Sequence, residues 1–414
     1  MIKAVKTLFV EKSMNYFLVL ALISFAFIMN ISQKLSTLLL VTSFGLALLN
    51  YKHFYRKNLL KGMFLILVFI VYMLAYYFVG NEFEIKTIEK RVSLIALPII
   101  FSLVTIDSNA FYNICLYFVY GVILAAVFNY IEPFINDFDW NTFQFIEIKE
   151  KIVFQKHNWM NHFYSLEFSN FLDRSYYGIY ACLAIAIVWF MLKWKMKYKL
   201  LAIFFLLINI FLSNSLIGIL GLGILLFFIV LKMKKPILFL GFPLLFIGVM
   251  MISPRFNKYV VEIWTYANNI DAVPKDFLRF RWAMWESTVE LIKEQPVSGY
   301  GKEGFDKALK AKLHVNVGWS YQILDNVAFN AHNQFLQIFG ETGIFGFLAY
   351  SCTFLAFLYC LIKQKCKQKY LKYCFIALIF AFSLSESLLD RYAGISFLSF
   401  FYCFFVMNRM TSLK

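Results

Sequence analysis

The chain has 414 residues, of which 61% are hydrophobic, 20% aromatic and only 15% charged, with a mean hydropathy of +0.68. Such a composition excludes a water-soluble globular fold of this size and points to an integral membrane protein. The net charge of +16 sits largely in short connections between apolar runs, and no basic, aromatic-interleaved soluble segment is present to bind nucleic acid.

Apolar runs of roughly 16 to 25 residues recur along the chain, about the length an α-helix needs to cross a hydrocarbon core of ~30 Å. They are too long for barrel strands. The predicted fold class is therefore all-α and polytopic, with about twelve spans near residues 15–32, 35–51, 61–80, 91–107, 110–131, 174–192, 198–213, 215–231, 236–252, 334–362, 371–389 and 392–408. The first run follows Lys3, Lys6 and Lys12 and ends in FIMNISQK without a small-residue cleavage pattern. It reads as a retained helix and not as a removed signal peptide.

Orientation follows from the basic residues near the helix ends, which resist translocation. Clusters occur at 51–61, 193–199, 232–235 and 363–372, all on the side shared with the N-terminus when the spans are counted in order. Both termini are thus expected in the cytoplasm. Residues 1–414 read as a single transmembrane domain that places a first loop, 132–173, and a larger loop, 253–333, outside. An outer insertion of the second size calls for a purpose of its own.

Within the larger loop, RWAMWESTVELIKEQP puts Trp282, Trp285, Val289 and Ile292 at helical spacing opposite Glu286, Glu290 and Lys293, and Pro296 ends the run. This predicts an amphipathic helix that packs its aromatic stripe on the bundle or at the lipid headgroups. A second helix is expected at 302–313, after a glycine-rich turn. Cys115, Cys182, Cys352, Cys360, Cys374 and Cys403 lie in apolar spans and Cys366 in a cytoplasmic loop, so no disulfide is expected outside. His157 and His162 lack cysteine or clustered carboxylate partners. They read as solvated loop histidines, and neither a metal nor another cofactor is expected.

The stretch FNAHNQFLQIFGETG, residues 329–343, is unusual for the start of a membrane helix. His332 falls at the water boundary where the large loop re-enters the bilayer. Glu341 lies about 13 Å deeper at 1.5 Å per residue. An ionisable group at that depth is costly unless it pairs with another group or faces a polar cavity, which marks it as a candidate functional or supporting residue. Asp173-Arg174, the turn Ser213-Asn214-Ser215, Arg279, Arg281, Glu386, Asp390 and Arg391 are all expected at the same outer boundary. Arginines converging with a histidine suit an anion of spread charge, because guanidinium forks match phosphate oxygens. A lipid-linked diphosphate is such an anion.

In order, Arg281-Trp282 with Trp285, Pro296, Gly299-Tyr300-Gly301, Phe305, His332-Asn333, then Glu341, Gly343 and Gly346 form a pattern that resembles the O-antigen ligase and polymerase superfamily of bacterial envelope glycosyltransferases. The resemblance implies a helical enzyme similar to the membrane glycosyltransferase-C type. Such an enzyme moves a glycan from undecaprenyl diphosphate, without a metal, on the outer face of the inner membrane. The acceptor is lipid A-core in ligases and another lipid-linked repeat unit in polymerases. Carried onto this chain, the family pattern assigns catalytic roles to His332, Arg281 and Arg174. Substrate contacts fall to Arg279, Asn333 and Arg391, and polar support to Glu341 and Glu386.

Simple chemistry agrees with that division. Breaking the sugar C1–O bond builds negative charge on the diphosphate, which fixed cations stabilise. A neutral imidazole can take the proton of the attacking hydroxyl near neutral pH. Attack opposite the leaving group inverts the anomeric carbon. Many family members carry an arginine after the small residues of the outer turn, where this chain has Leu216; either Arg279 or Arg391 fills that role, or transfer does not need it. The ligase reading is preferred, with a surface-polysaccharide polymerase as the alternative. A transporter or flippase is disfavoured, since it calls for polarity near the midplane and two related halves.

Overall fold

A computed structural model describes residues 2–79, 85–146, 158–165, 168–169, 171–234, 248, 261, 277–317, 330–363 and 368–407. Helices α1 (Ile2–Ile28), α2 (Gln33–Leu49), α3 (Arg56–Lys61), α4 (Met63–Phe78), α5 (Ile85–Arg91), α6 (Ser93–Leu103) and α7 (Ser108–Asn136) come first. Then follow α8 (Arg174–Phe190), α9 (Met196–Leu212) and α10 (Leu216–Met233), the loop helices α11 (Phe277–Glu294) and α12 (Lys302–Val317), and finally α13 (Gln334–Lys363), α14 (Lys369–Ser385) and α15 (Tyr392–Val406).

A helix occupies each predicted span except 236–252, which lies almost wholly outside the described residues. By length and composition α7, α10 and α13 can each cross a membrane, and α2, α4, α8, α15 and the Met14–Ile28 part of α1 are shorter apolar helices. This is a helical membrane protein.

Helix α15 stands in the middle. Every residue from Tyr392 to Val406 is buried, as expected of a helix that is apolar on all sides. Phe404 stacks on Phe111 of α7 with ring centroids 4.4 Å apart, and Phe401 meets Phe118 edge-on at 4.7 Å. Around this pillar α1 packs on α7 and α2, α8 on α10, and α4 on α13. The N-termini of α8 and α15 and the C-terminus of α14 thereby meet at one end of the bundle.

The loop helices form a pair over that end. Met284 and Leu291 of α11 pack with Phe305, Leu309 and Leu313 of α12 in a small core of their own. The expected aromatic stripe divides, with the indole N–H of Trp285 donating to the Ala331 carbonyl at 2.9 Å. Trp282 is 67% exposed and Val289 38% exposed, while Ala283, Met284, Ser287, Thr288 and Leu291 face inward. Small and hydroxylated residues let the two helices approach, and Trp282 is left on the exposed edge. The expectation for His162 is corrected: it is 2% exposed, with Nδ1 3.0 Å from Asp137 and Nε2 2.9 Å from the Ile146 carbonyl. It ties the 158–163 segment to the end of α7 and to Ile146. His157 and Cys366 lie outside the described residues.

Candidate active site

The site is built on a break in α13. Gly343 has φ 67° and ψ −163°, which interrupts the helix and frees backbone groups that must find other partners. The segment after α11 supplies them. Ile344 N–H donates to the Pro296 carbonyl at 2.9 Å, Tyr300 N–H to Gly340 at 2.9 Å and Gly301 N–H to Glu341 at 2.8 Å. At Gly299, with φ 66°, a β-carbon would come within 2.6 Å of the Glu341 carbonyl carbon. The Gly-Tyr-Gly and Glu-x-Gly motifs are therefore two halves of one backbone junction, which clamps the loop helices to α13.

Above the break, Asn333 caps α13: its Oδ1 accepts from Phe335 N–H at 3.0 Å and Leu336 N–H at 3.2 Å. His332 precedes it with φ 45°, and its Nδ1 lies 3.0 Å from Glu386 Oε2. The other carboxylate oxygen of Glu386 accepts from Arg281 at 3.1 Å and from the Ser175 hydroxyl at 3.2 Å. Arg281 also donates to the Ser385 carbonyl. One carboxylate, at the C-terminal end of α14, thus joins a histidine from α13, an arginine from α11 and the first turn of α8. The side chains of His332, Glu386 and Arg281 remain 28%, 18% and 16% exposed, so all three line a partly exposed rim. Burial pushes the Glu386 carboxyl up, but the His332 and Arg281 contacts outweigh it and hold the group below its ordinary range.

The remaining candidates are distributed around that rim. Arg174 opens α8 next to Ser175 and donates to the Ser165 hydroxyl at 3.1 Å. Arg391 is 59% exposed and pairs at 3.3 Å with Asp173, whose carboxylate also caps α8 through Ser175 N–H. The side chain of Arg279 lies outside the described part of the structure. Glu341 is fully buried, as its depth in the sequence suggested. The turn Ser213-Asn214-Ser215 is tight, with Asn214 at φ 49° and Ser215 capping α10.

Beneath the rim is a charged cluster that the sequence did not reveal. Arg91 is fully buried, its guanidinium 4.2 Å from the Tyr72 ring centre, 3.9 Å from Glu341 and 3.8 Å from Asp390. Lys302 reaches Asp390 at 3.1 Å and Glu341 at 3.5 Å. Gln337, also fully buried, donates to Glu341 at 2.7 Å. Asp306 on α12 is electrostatically coupled to this cluster. Burial raises its carboxyl to about 7; Lys302 opposes the rise, and Glu341 and Asp390 add to it. Arg91 escaped notice because a basic residue at the edge of an apolar run reads as part of a loop. Gln337 carries no charge to betray its burial. Among the described residues, no three or more metal-ligating side chains gather into one group.

The fold and rim define a helical membrane protein with a polar site capped by the α11–α12 pair. Residues 201–351 match the model of the family described as O-antigen ligase, and that match supports the O-antigen ligase and polymerase superfamily. The matched segment contains Arg281, His332 and Glu341, whereas Arg174, Glu386 and Arg391 fall outside it. An uncharacterized protein of Haemophilus influenzae is 28% identical over 117 residues, which is 27% of this chain and 27% of that protein. The chain thus aligns with about a quarter of the curated relative it matches.

Proposed function

We propose that the protein is an O-antigen ligase-type glycosyltransferase that moves a glycan from undecaprenyl diphosphate to lipid A-core on the outer face of the inner membrane. The observation that carries this reading is the Glu386 carboxylate, which joins His332 to Arg281 at the rim within reach of the family-matched segment. The ionised carboxylate accepts a proton-bearing Nδ1, so the imidazole presents Nε2 as its base. The acceptor hydroxyl gives its proton to Nε2 as its oxygen attacks the sugar C1. The bond from C1 to the diphosphate oxygen breaks, and its electron pair leaves with the diphosphate.

Arg281 and Arg174 are assigned to that leaving group. Fixed cations there stabilise developing charge without reorganising at the moment of reaction. Arg391 and Arg279 are held for outer phosphate or glycan contacts. Displacement from the opposite face gives inversion, and the chemistry asks for no metal. Polymerisation of repeat units uses the same donor side and differs in what docks beside His332.

The glycan profile of a deletion strain separates these readings. Loss of all glycan from lipid A-core, with lipid-linked polymer accumulating, supports the ligase. A single repeat unit left on the core means a polymerase, and an unchanged profile overturns both.

A further inference from the structure

Gln337 lies below the rim, where it would touch no substrate, yet its two amide ends are both committed. Nε2 donates to Glu341 Oε1 at 2.7 Å, and Oε1 accepts the N–H of Ala331 at 2.7 Å. An ionised Glu341, with Arg91 and Lys302 within ion-pair reach, can only accept. The amide is therefore held in one orientation, with its oxygen toward Ala331.

Ala331 is fully buried, and its carbonyl accepts the indole N–H of Trp285 at 2.9 Å. The next residue, His332, has φ 45°. Its own N–H goes to Asn330 Oδ1 at 2.9 Å, an oxygen that also accepts from the Ser387 hydroxyl at 3.1 Å. A residue with a β-carbon keeps such a φ when its surroundings over-determine it. Here the peptide joining Ala331 to His332 is held at its N–H by Asn330 and at its carbonyl by Trp285, and the N–H of the peptide before it is held by Gln337.

We propose that Gln337 is a positioning residue for the transfer reaction. By holding Ala331 N–H it fixes the left-handed turn at His332 and so sets the imidazole against Glu386, while Glu341 and its cations fix Gln337 in turn. Trp285 performs the same task at the Ala331 carbonyl, on the peptide that leads directly into His332. This inference rests on His332 being the acceptor-side base.

The test uses purified full-length protein in lipid nanodiscs, with lipid-linked glycan and lipid A-core extracted from the producing cells as substrates. Gln337→Met keeps the volume and removes both hydrogen bonds. Its kcat should fall by about 30- to 100-fold, the scale of a misplacement near 1 Å, while donor KM stays within about 3-fold. Gln337→Glu, sharing one proton with Glu341, retains a donor and an acceptor and should recover to within about 5-fold of wild type. Trp285→Phe keeps most of the ring bulk, loses the donor to Ala331, and should lower kcat by about 5-fold or more.

A Gln337→Met enzyme with kcat near wild type, or a loss seen mainly in donor KM, overturns the proposal. So does a Gln337→Glu enzyme no better than Gln337→Met at equal melting temperature. If Gln337→Met does not fold, Trp285→Phe decides, and an unchanged kcat there is fatal. Normal transfer by His332→Ala in the same assay would instead defeat the base assignment, and this inference with it.

Discussion

His332 Nδ1 and Glu386 Oε2 stand 3.0 Å apart, although the two residues come from different helices and Glu386 also serves Arg281 through its other oxygen. Glu386→Gln keeps the shape and removes the charge. Its amide also presents a donor toward one of two groups that are themselves donors. The variant should fold and lose about 10- to 100-fold in transfer, because an orienting partner of a general base is removed while the base remains. Single-turnover transfer beside a melting curve checks this; full activity means that the contact is structural only.

The break at Gly343 and the junction with residues 296–301 predict a different kind of defect. Gly299→Ala places a β-carbon within 2.6 Å of the Glu341 carbonyl carbon in a backbone conformation that disfavours side chains. Replacing a positive-φ glycine is destabilising where the native conformation cannot be kept. Yield and melting temperature should both fall, and susceptibility of the loop-helix pair to protease should rise. A stable, active Gly299→Ala would refute the clamp.

Glu341→Ala should differ again. It removes the acceptor for Gln337 and an ion-pair partner of Arg91 and Lys302 deep in the protein. Leaving such groups without that partner costs about 3–5 kcal/mol for a buried charge. Expected results are a lower melting temperature and lower activity together, and normal stability with a selective loss of transfer would contradict a supporting role.

Asp306 gives the stability a pH dependence of predictable sign. Its carboxyl titrates at about 7 in the folded protein against an ordinary 3.8, so the folded state binds the proton more tightly than the unfolded chain. No penalty arises below the unfolded value. Stability is lost as pH rises from about 4 toward 7, and the loss is complete above that. Asp306→Asn should therefore raise the melting temperature relative to wild type more at pH 8 than at pH 5. An equal or opposite difference at the two pH values would place the titration elsewhere.

Much of the architecture was legible because a run of apolar residues long enough to cross a bilayer leaves few alternatives to a helix. Glu341 stood out for the same reason, since a carboxylate that deep is costly unless it is paired or faces a polar cavity. Its partners did not. Arg91 sits at the end of α5, where a basic residue resembles a loop flank, and Lys302 opens a helix that reads as water-facing. The face that α11 turns to α12 was not legible because it uses Ala283, Ser287 and Thr288 around Met284 and Leu291, which a hydrophobic pattern undercounts beside two tryptophans. Glu386 was expected only as support, since nothing local reveals that one carboxylate collects residues from three other helices.

His332 is the proposed acceptor-side base, and Arg281 and Arg174 are the proposed contacts of the donor diphosphate. The most direct measurement follows donor binding and single-turnover transfer together for His332→Ala and Arg281→Ala, in protein confirmed as folded. His332→Ala should bind lipid-linked donor normally and lose about 100-fold or more in transfer, the usual scale for a missing general base. Arg281→Ala should lose donor binding. Near-normal transfer by His332→Ala, or a loss of donor binding as complete as that of Arg281→Ala, would contradict the assignment.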